Sequence, residues 1–207
     1  EEIAESGGFE LPELGVEWTL PLPMTAELLD DLENEVLSVF DRERIIFPDE
    51  VRGDHETLSA AVADGGWPTL DESRGQVFLS LLARYETADL YREGTPALEG
   101  RLFCTQAEPG APDAAIVGLD DPVADAAAIA QALADGALVR TRSDVSTTPD
   151  GDTTRRDAAL ASGAQYVSTD VYADVGRGFV VGLPDGAVVR CSPVVASELC
   201  VDAELVE

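Results

Sequence analysis

The chain has 207 residues, 45% of them hydrophobic, which is enough for one sizeable core and marginal for two. It carries 41 acidic residues against 13 cationic ones, all arginine, for a formal charge of -28. So acidic a surface argues against nucleic-acid partners and against electrostatic binding to anionic lipid, and with no run of 18 apolar residues stable membrane insertion is not expected.

The first twenty residues have neither a basic start nor an apolar stretch, and the chain opens on Glu1, as a processed chain or a fragment would. From there a regular alternation of short aliphatic runs and amphipathic segments begins. TAELLDDLENEVLSVFD predicts a helix with Leu28, Leu29, Leu32, Val36 and Phe40 on one face and Asp30, Asp31, Glu33 and Glu35 mostly away from it. RIIF (44–47) reads as a strand. Asp54 is placed to cap a short helix, HETLSAAVAD, which Gly65 and Gly66 stop, and QVFLSLLA (76–83) follows as a buried strand. A brief helical piece is expected near 86–93, and RLFCTQ (101–106) is the next strand.

A loop rich in Pro and Gly then leads to the best-marked helix, with Asp121 as cap, Pro122 at its first position and Gly136 as stop. ALVRTR (137–142) is a strand. The last unit repeats the grammar: Asp152 as cap, TTRRDAALAS as helix, Gly163 as stop, and QYVST (165–169) as strand. FVVGLPDGAVVRC predicts a hairpin turning at Pro184, Asp185 and Gly186. Five strands with four crossovers are the pattern of a parallel sheet with helices outside it. No dinucleotide or nucleoside-triphosphate motif is present, which leaves an open doubly wound sheet or five eighths of a (β/α)8 barrel. A partial barrel leaves open strand edges, so the missing strands or a second copy of the chain are expected partners.

Of the three cysteines, Cys191 and Cys200 lie close together in the tail, where a small loop is easily bridged. A disulfide there favours a secreted, extracellular protein, and two unconnected thiols are the alternative. Cys104 reads as a small buried side chain.

The segments LVRTRSD and GDTTRRDAALASGAQYVSTD resemble the last two β/α units of the bacterial calcium-dependent phosphatidylinositol-specific phospholipase C family, a branch of the (β/α)8-barrel phosphodiesterases. FPDEVRGDHETLSAAVADGGWPTLDESRGQV is similar to that family's middle segment, and RCSPVVASELC to its C-terminal end, so the resemblance covers roughly residues 25–200. It implies an α/β, TIM-barrel-like fold comprising the last five or so β/α units in a single partial domain over 1–207, with the C-terminal hairpin and tail at 178–207. It implies a phosphoric diester hydrolase that cleaves a phosphoinositide by attack of the inositol 2-hydroxyl, using two histidines and a calcium ion.

In that family the histidines and the calcium ligands come from the first strands of the barrel, so this chain is expected to be the C-terminal part of such an enzyme, inactive without those strands; a non-catalytic phospholipase-like binding or interaction domain is the alternative. Here the one histidine is His55, flanked by Asp54 and Glu56 at a helix end, so no catalytic residue and no metal ligand is assigned. STTPDGDTTRRD fits a calcium loop poorly, because Ser146 and Thr148 would take the first and third positions.

Period two puts Arg140, Arg142 and, if the strand extends, Asp144 on one face, with Val139 and Thr141 on the other. In a barrel that face points inward, and Arg142 is nearer the C-terminal mouth where such barrels bind substrate. Arg142 is therefore the candidate for a phosphate or inositol hydroxyl, Arg140 for an interior ion pair, and Asp170 for orienting Arg142 or binding a hydroxyl; a structural ion-pair network under the loops is the alternative. Arg155 and Arg156 are expected to pair on their own helix with Asp152 and Asp157.

The acidic, lysine-free composition has two readings, salt adaptation or the bias of a GC-rich genome. The first predicts an unfolding midpoint that rises from low to molar salt, checked by refolding at both; equal stability leaves the second.

Overall fold

The computed structural model describes residues 24–82, 85–183, 186–196 and 200–205, and the backbone of 9–11 and 16–18. The first two strands, β1 (Phe9–Leu11) and β2 (Val16–Trp18), form an antiparallel pair. Among the described residues all later pairing is parallel. β3 (Ile45–Ile46) pairs with β4 (Val77–Phe78), and β5 (Ser80–Leu81) pairs with β6 (Cys104–Ala107). Leu79 lies between β4 and β5, and its carbonyl accepts from the Cys104 N–H at 3.0 Å, so 77–81 links the two ladders. β7 (Ile116–Gly118), β8 (Leu138–Arg142) and β9 (Tyr166–Ser168) follow in chain order and complete a curled half-barrel sheet.

The described residues thus supply six successive parallel strand positions where the sequence suggested five. The additional one is β7. Its three residues sit in the Pro- and Gly-rich stretch read as loop, and the β6–β7 connection contains no helix to announce a crossover.

Six helices accompany these strands: α1 (Ala26–Val39), α2 (Pro48–Arg52), α3 (Leu58–Ala63), α4 (Tyr85–Arg92), α5 (Ala126–Ala134) and α6 (Thr154–Ala161). Caps set their starts. Thr25 and Thr57, not Asp54, accept from the backbone N–H groups of Leu28 and Ala60, because in each the hydroxyl stands three residues before the donor. Asp121 accepts from Val123 and Ala124, which makes residues 122–125 a turn ahead of α5.

Two packing layers follow from the strand alternation. On the outer face Ala107, Val117 and Val139 pack against Ile129, Ala132 and Leu133 of α5. A second cluster joins Ile45, Phe47, Val51, Leu58, Tyr91, Leu102 and Phe103 with Leu29 of α1. In α1 only Leu29 is fully buried, while Leu28 and Leu32 are exposed. Glu33, expected on the polar face, points inward instead and accepts from the Tyr91 hydroxyl and from the Leu102 N–H at 3.1 Å. The described residues cover one edge of the apolar stripe, and the periodicity alone could not tell which edge.

At the N-terminal ends of the strands the Trp67 indole donates to the Gly136 carbonyl at 2.9 Å, tying the turn before β4 to the turn before β8. Gly136 has φ +78, and a Cβ there would lie 2.1 Å from the Val62 carbonyl oxygen, so conformation and space both require glycine. The same end of the concave face is apolar: Ile46, Trp67, Phe78, Leu138, Tyr166 and Val188 line an open cavity of about 820 Å³.

The C-terminal segment runs from the C-terminal end of β9 back to this end. Val181 donates to the Val171 carbonyl at 2.9 Å, Arg190 donates to Leu160 O, and Val194 packs on Gly163. The residues flanking the expected hairpin turn show no strand ladder, and Pro184 and Asp185 lie outside the described residues. Cys191 and Cys200 are joined in a disulfide with Cα atoms 5.9 Å apart, and the Cys191 N–H donates to Asp202 at 2.6 Å. Closing so short a loop stabilises by about 2 to 3 kcal/mol. The double substitution Cys191→Ala with Cys200→Ala is expected to lower unfolding stability by that amount in a denaturant titration.

Candidate functional site

The C-terminal half of the concave face is polar, and β8 explains why. Val139 and Thr141 are fully buried against the helices, so Leu138, Arg140 and Arg142 must face the concave side. Register places Gly118 and Tyr166 beside Arg140, and Ser168 beside Arg142. Two arginines on a half-buried face need acceptors, and the neighbouring strand ends supply them.

Arg140 donates from Nη1 to Asp120 Oδ1 at 2.8 Å and from Nε to Ser168 Oγ at 2.9 Å. Arg142 donates from Nη2 to Asp170 Oδ2 at 3.2 Å, and its Nε is buried without an acceptor among the described residues. Asp170 itself is exposed. Arg142 and Asp170 therefore meet at the rim, with Arg140 below them held by Asp120.

Asp144 does not continue the face of Arg140 and Arg142. The strand ends at Arg142, the Ser143 N–H bonds to the Ser168 carbonyl at 3.0 Å, and the Asp144 side chain is buried between the ends of β8 and β9. Its carboxylate accepts from the Thr169 hydroxyl at 2.6 Å, the Ser143 hydroxyl at 2.8 Å and the Asp170 N–H at 3.0 Å. Burial pushes this carboxyl up, but these hydrogen bonds and the Arg142 charge outweigh it and hold the group below the usual carboxylate range.

Arg155 departs from its expected surface pairing. It reaches from α6 back to the strand ends, donating to Asp121 Oδ2 at 2.9 Å, to the Arg142 carbonyl at 3.2 Å and to the Asp120 carbonyl. A long side chain at the start of α6 covers that distance, whereas Asp152 accepts from the Thr154 N–H at 2.9 Å. Arg156 pairs with Asp157 at 2.7 Å. The Asp121 carboxyl is held low, first by the Ala124 N–H, then by Val123 and Arg155 against the opposing effect of burial. With β7 unrecognised in the sequence, Asp121 reads there only as a helix cap and Asp120 has no role assigned. The available signal was two acids directly after an apolar run, in AAIVGLDDP.

His55 stays within the α2–α3 unit. Its Nδ1 lies 3.2 Å from the Arg52 carbonyl and its Nε2 lies 3.3 Å from Asp64 Oδ2. Cys104 is buried, and burial, aided by the Asp113 charge, pushes its thiol up to about 12, which makes it a poor nucleophile. Asp113 is itself buried, with Thr105 Oγ1 at 2.5 Å and Arg92 Nη1 at 3.0 Å.

The family model for Ca2+-dependent phosphoinositide phospholipase C matches residues 10–193. The chain belongs to this family. No curated protein and no solved structure matches it significantly. Membership in the phospholipase C family gives the half-barrel its context: the Arg142 mouth lies at the strand ends where barrels of this architecture bind substrate.

The calcium in the family's name does not fit the carboxylates of this mouth. Asp120, Asp121 and Asp170 each hold an arginine, Asp144 holds three donors, and among the described residues no group of three His, Cys, Asp or Glu is arranged for a metal. Asp150, the best position of the weak calcium loop, accepts from Arg177 at 2.7 Å.

The role of Asp144 carries a pH signature. Its folded pKa is depressed, so its stabilisation is present above the unfolded value of about 3.9 and is lost as pH falls through the folded value. Asp144→Asn is expected to cost about 1 to 3 kcal/mol at neutral pH by unpairing the Thr169, Ser143 and Asp170 donors. The deficit relative to the parent chain should shrink on acidification below about pH 4, measured by denaturation across pH.

Proposed function

We propose that this chain is the head-group-binding part of a Ca2+-dependent phosphoinositide phospholipase C-like phosphodiester hydrolase, with Arg142 contacting the phosphate. Asp170 orients Arg142 and offers a carboxylate to an inositol hydroxyl, and Arg140 supports the site from below. The observation that carries this reading is the unequal satisfaction of the two strand arginines. Arg140 is engaged by Asp120 and Ser168, whereas Arg142 sits at the rim with, among the described residues, one carboxylate partner and a buried Nε lacking an acceptor. A phosphate oxygen supplies the missing acceptor, and charge-assisted N–H···O bonds to it are the strong class.

Cleavage needs a base for the attacking hydroxyl and an acid for the leaving group. The described residues offer one imidazole, His55, already engaged by Asp64 and Arg52. We therefore infer that the histidine pair and the calcium ligands of the family are contributed by other residues than those of the mouth, and that these residues bind rather than cleave. The disulfide and the lack of a membrane-crossing helix among the described residues support a secreted protein.

Two measurements check this. The 207-residue chain is expected to release no inositol phosphate from phosphatidylinositol micelles, with or without calcium, and turnover would overturn the division of labour. Arg142→Ala is expected to weaken inositol 1-phosphate binding by about tenfold or more while leaving the melting temperature near that of the parent. Unchanged affinity would remove Arg142 from the site.

A further inference from the structure

β6 alternates as β8 does. Thr105 and Ala107 are buried toward the helices, and Gln106 between them is partly exposed on the concave face. Its amide lies across the neighbouring strand at Gly118: a Cβ built there would fall 1.6 Å from Gln106 Nε2 and 2.1 Å from Cδ. Gly118 is not needed for its backbone conformation, since its φ is not positive. It is needed for space, because any side chain would displace the Gln106 amide. Gly118 is in register with Arg140, so the amide stands about one strand spacing, roughly 5 Å, from the arginine strand and on the same face.

The amide oxygen is the unusual part. Gln106 Oε1 is buried and accepts no hydrogen bond among the described residues. A buried acceptor without a donor is rare and costly, and an apolar side chain of similar shape would avoid the cost. The neighbouring arginine does not supply that donor: Arg140 turns its Nη1 to Asp120 and its Nε to Ser168. What completes this acceptor is a donor arriving in the concave space. A ligand that brings an anion to Arg142 and a hydroxyl to the floor beside Arg140 is a phosphorylated polyol.

We propose that Gln106 is a substrate-recognition residue that accepts a hydrogen bond from a ring hydroxyl of an inositol phosphate, and that Gly118 is the residue that makes room for it. The proposal rests on Arg142 as the phosphate contact. It makes Gln106 a determinant of preference for inositol phosphate over bare phosphate, since a site built to pair a hydroxyl discriminates against a ligand lacking one.

The test compares inositol 1-phosphate with inorganic phosphate on four proteins, by calorimetric titration of the full chain. The parent is expected to prefer inositol 1-phosphate. Gln106→Leu should lower that preference about tenfold, leave inorganic phosphate binding unchanged, and keep or raise the melting temperature, because it removes an unpaired acceptor. Gly118→Ala should reproduce the loss of preference by displacing the amide. Arg142→Ala should weaken both ligands. If Arg142→Ala weakens both but Gln106→Leu keeps the full preference, the role of Gln106 is overturned and that of Arg142 stands. If Gln106→Leu lowers the melting temperature and leaves the preference intact, Gln106 is structural. If the parent binds neither ligand, or Arg142→Ala changes neither affinity, the reading of the mouth fails as well.

Discussion

Everything at the mouth depends on the two-residue period of β8. With Val139 and Thr141 fully buried against the helix layer, Arg140 and Arg142 have no other side to occupy than the concave one. A slip of one residue would put both guanidinium groups into the helix interface, where burial without acceptors is prohibitive, so the register is strongly fixed. The lateral ladder then passes this choice to its neighbours, setting Gly118, Tyr166 and Ser168 beside the arginines.

The acids around these arginines act as locks as much as partners. Asp144 ties the ends of β8 and β9 through the Ser143 and Thr169 hydroxyls and the Asp170 N–H, and so sets where Asp170 meets Arg142. Arg155 performs the corresponding task on the other flank, binding Asp121 and the Arg142 carbonyl. In a chain with 41 acids and 13 arginines, each cation is the scarce partner, and the described ones at the mouth are shared among several strand ends. Such pairs are worth little singly on a surface and more as a network that is partly removed from water.

The concave face divides by height. Toward the N-terminal ends of the strands it is apolar, with Ile46, Phe78 and Leu138 facing a cavity over which the C-terminal segment runs, while toward the C-terminal ends it is lined by Gln106, Arg140, Arg142 and Ser168. Barrel enzymes divide their two ends in a similar way, with stability at one and the substrate site at the other. Membership in the calcium-dependent phosphoinositide phospholipase C family agrees with it. His55, Cys104 and Asp150 are reactive in type, yet each is already committed to a partner or buried within the framework.

Much of this was legible in the linear chain. Strand period placed Arg140 and Arg142 on one face, the cysteine spacing in the tail matched a disulfide that is present, and the run ALASGAQYVSTD carried the family resemblance. These are local properties, fixed by backbone geometry and by short spacings. What the sequence could not settle depends on which segments come together. β7 is too short to stand out from a Pro- and Gly-rich stretch, and only parallel pairing to β6 and β8 makes it a strand. With β7 hidden, Asp120 had no address, Asp121 read only as a helix cap, and Arg155 read as a surface residue. Gln106 looked like the polar end of an apolar run. Only the tertiary structure, by laying its amide over a glycine one strand away and leaving its oxygen without a donor among the described residues, singles it out, because a side chain's unmet hydrogen bond is a property of its surroundings and not of its neighbours in the chain.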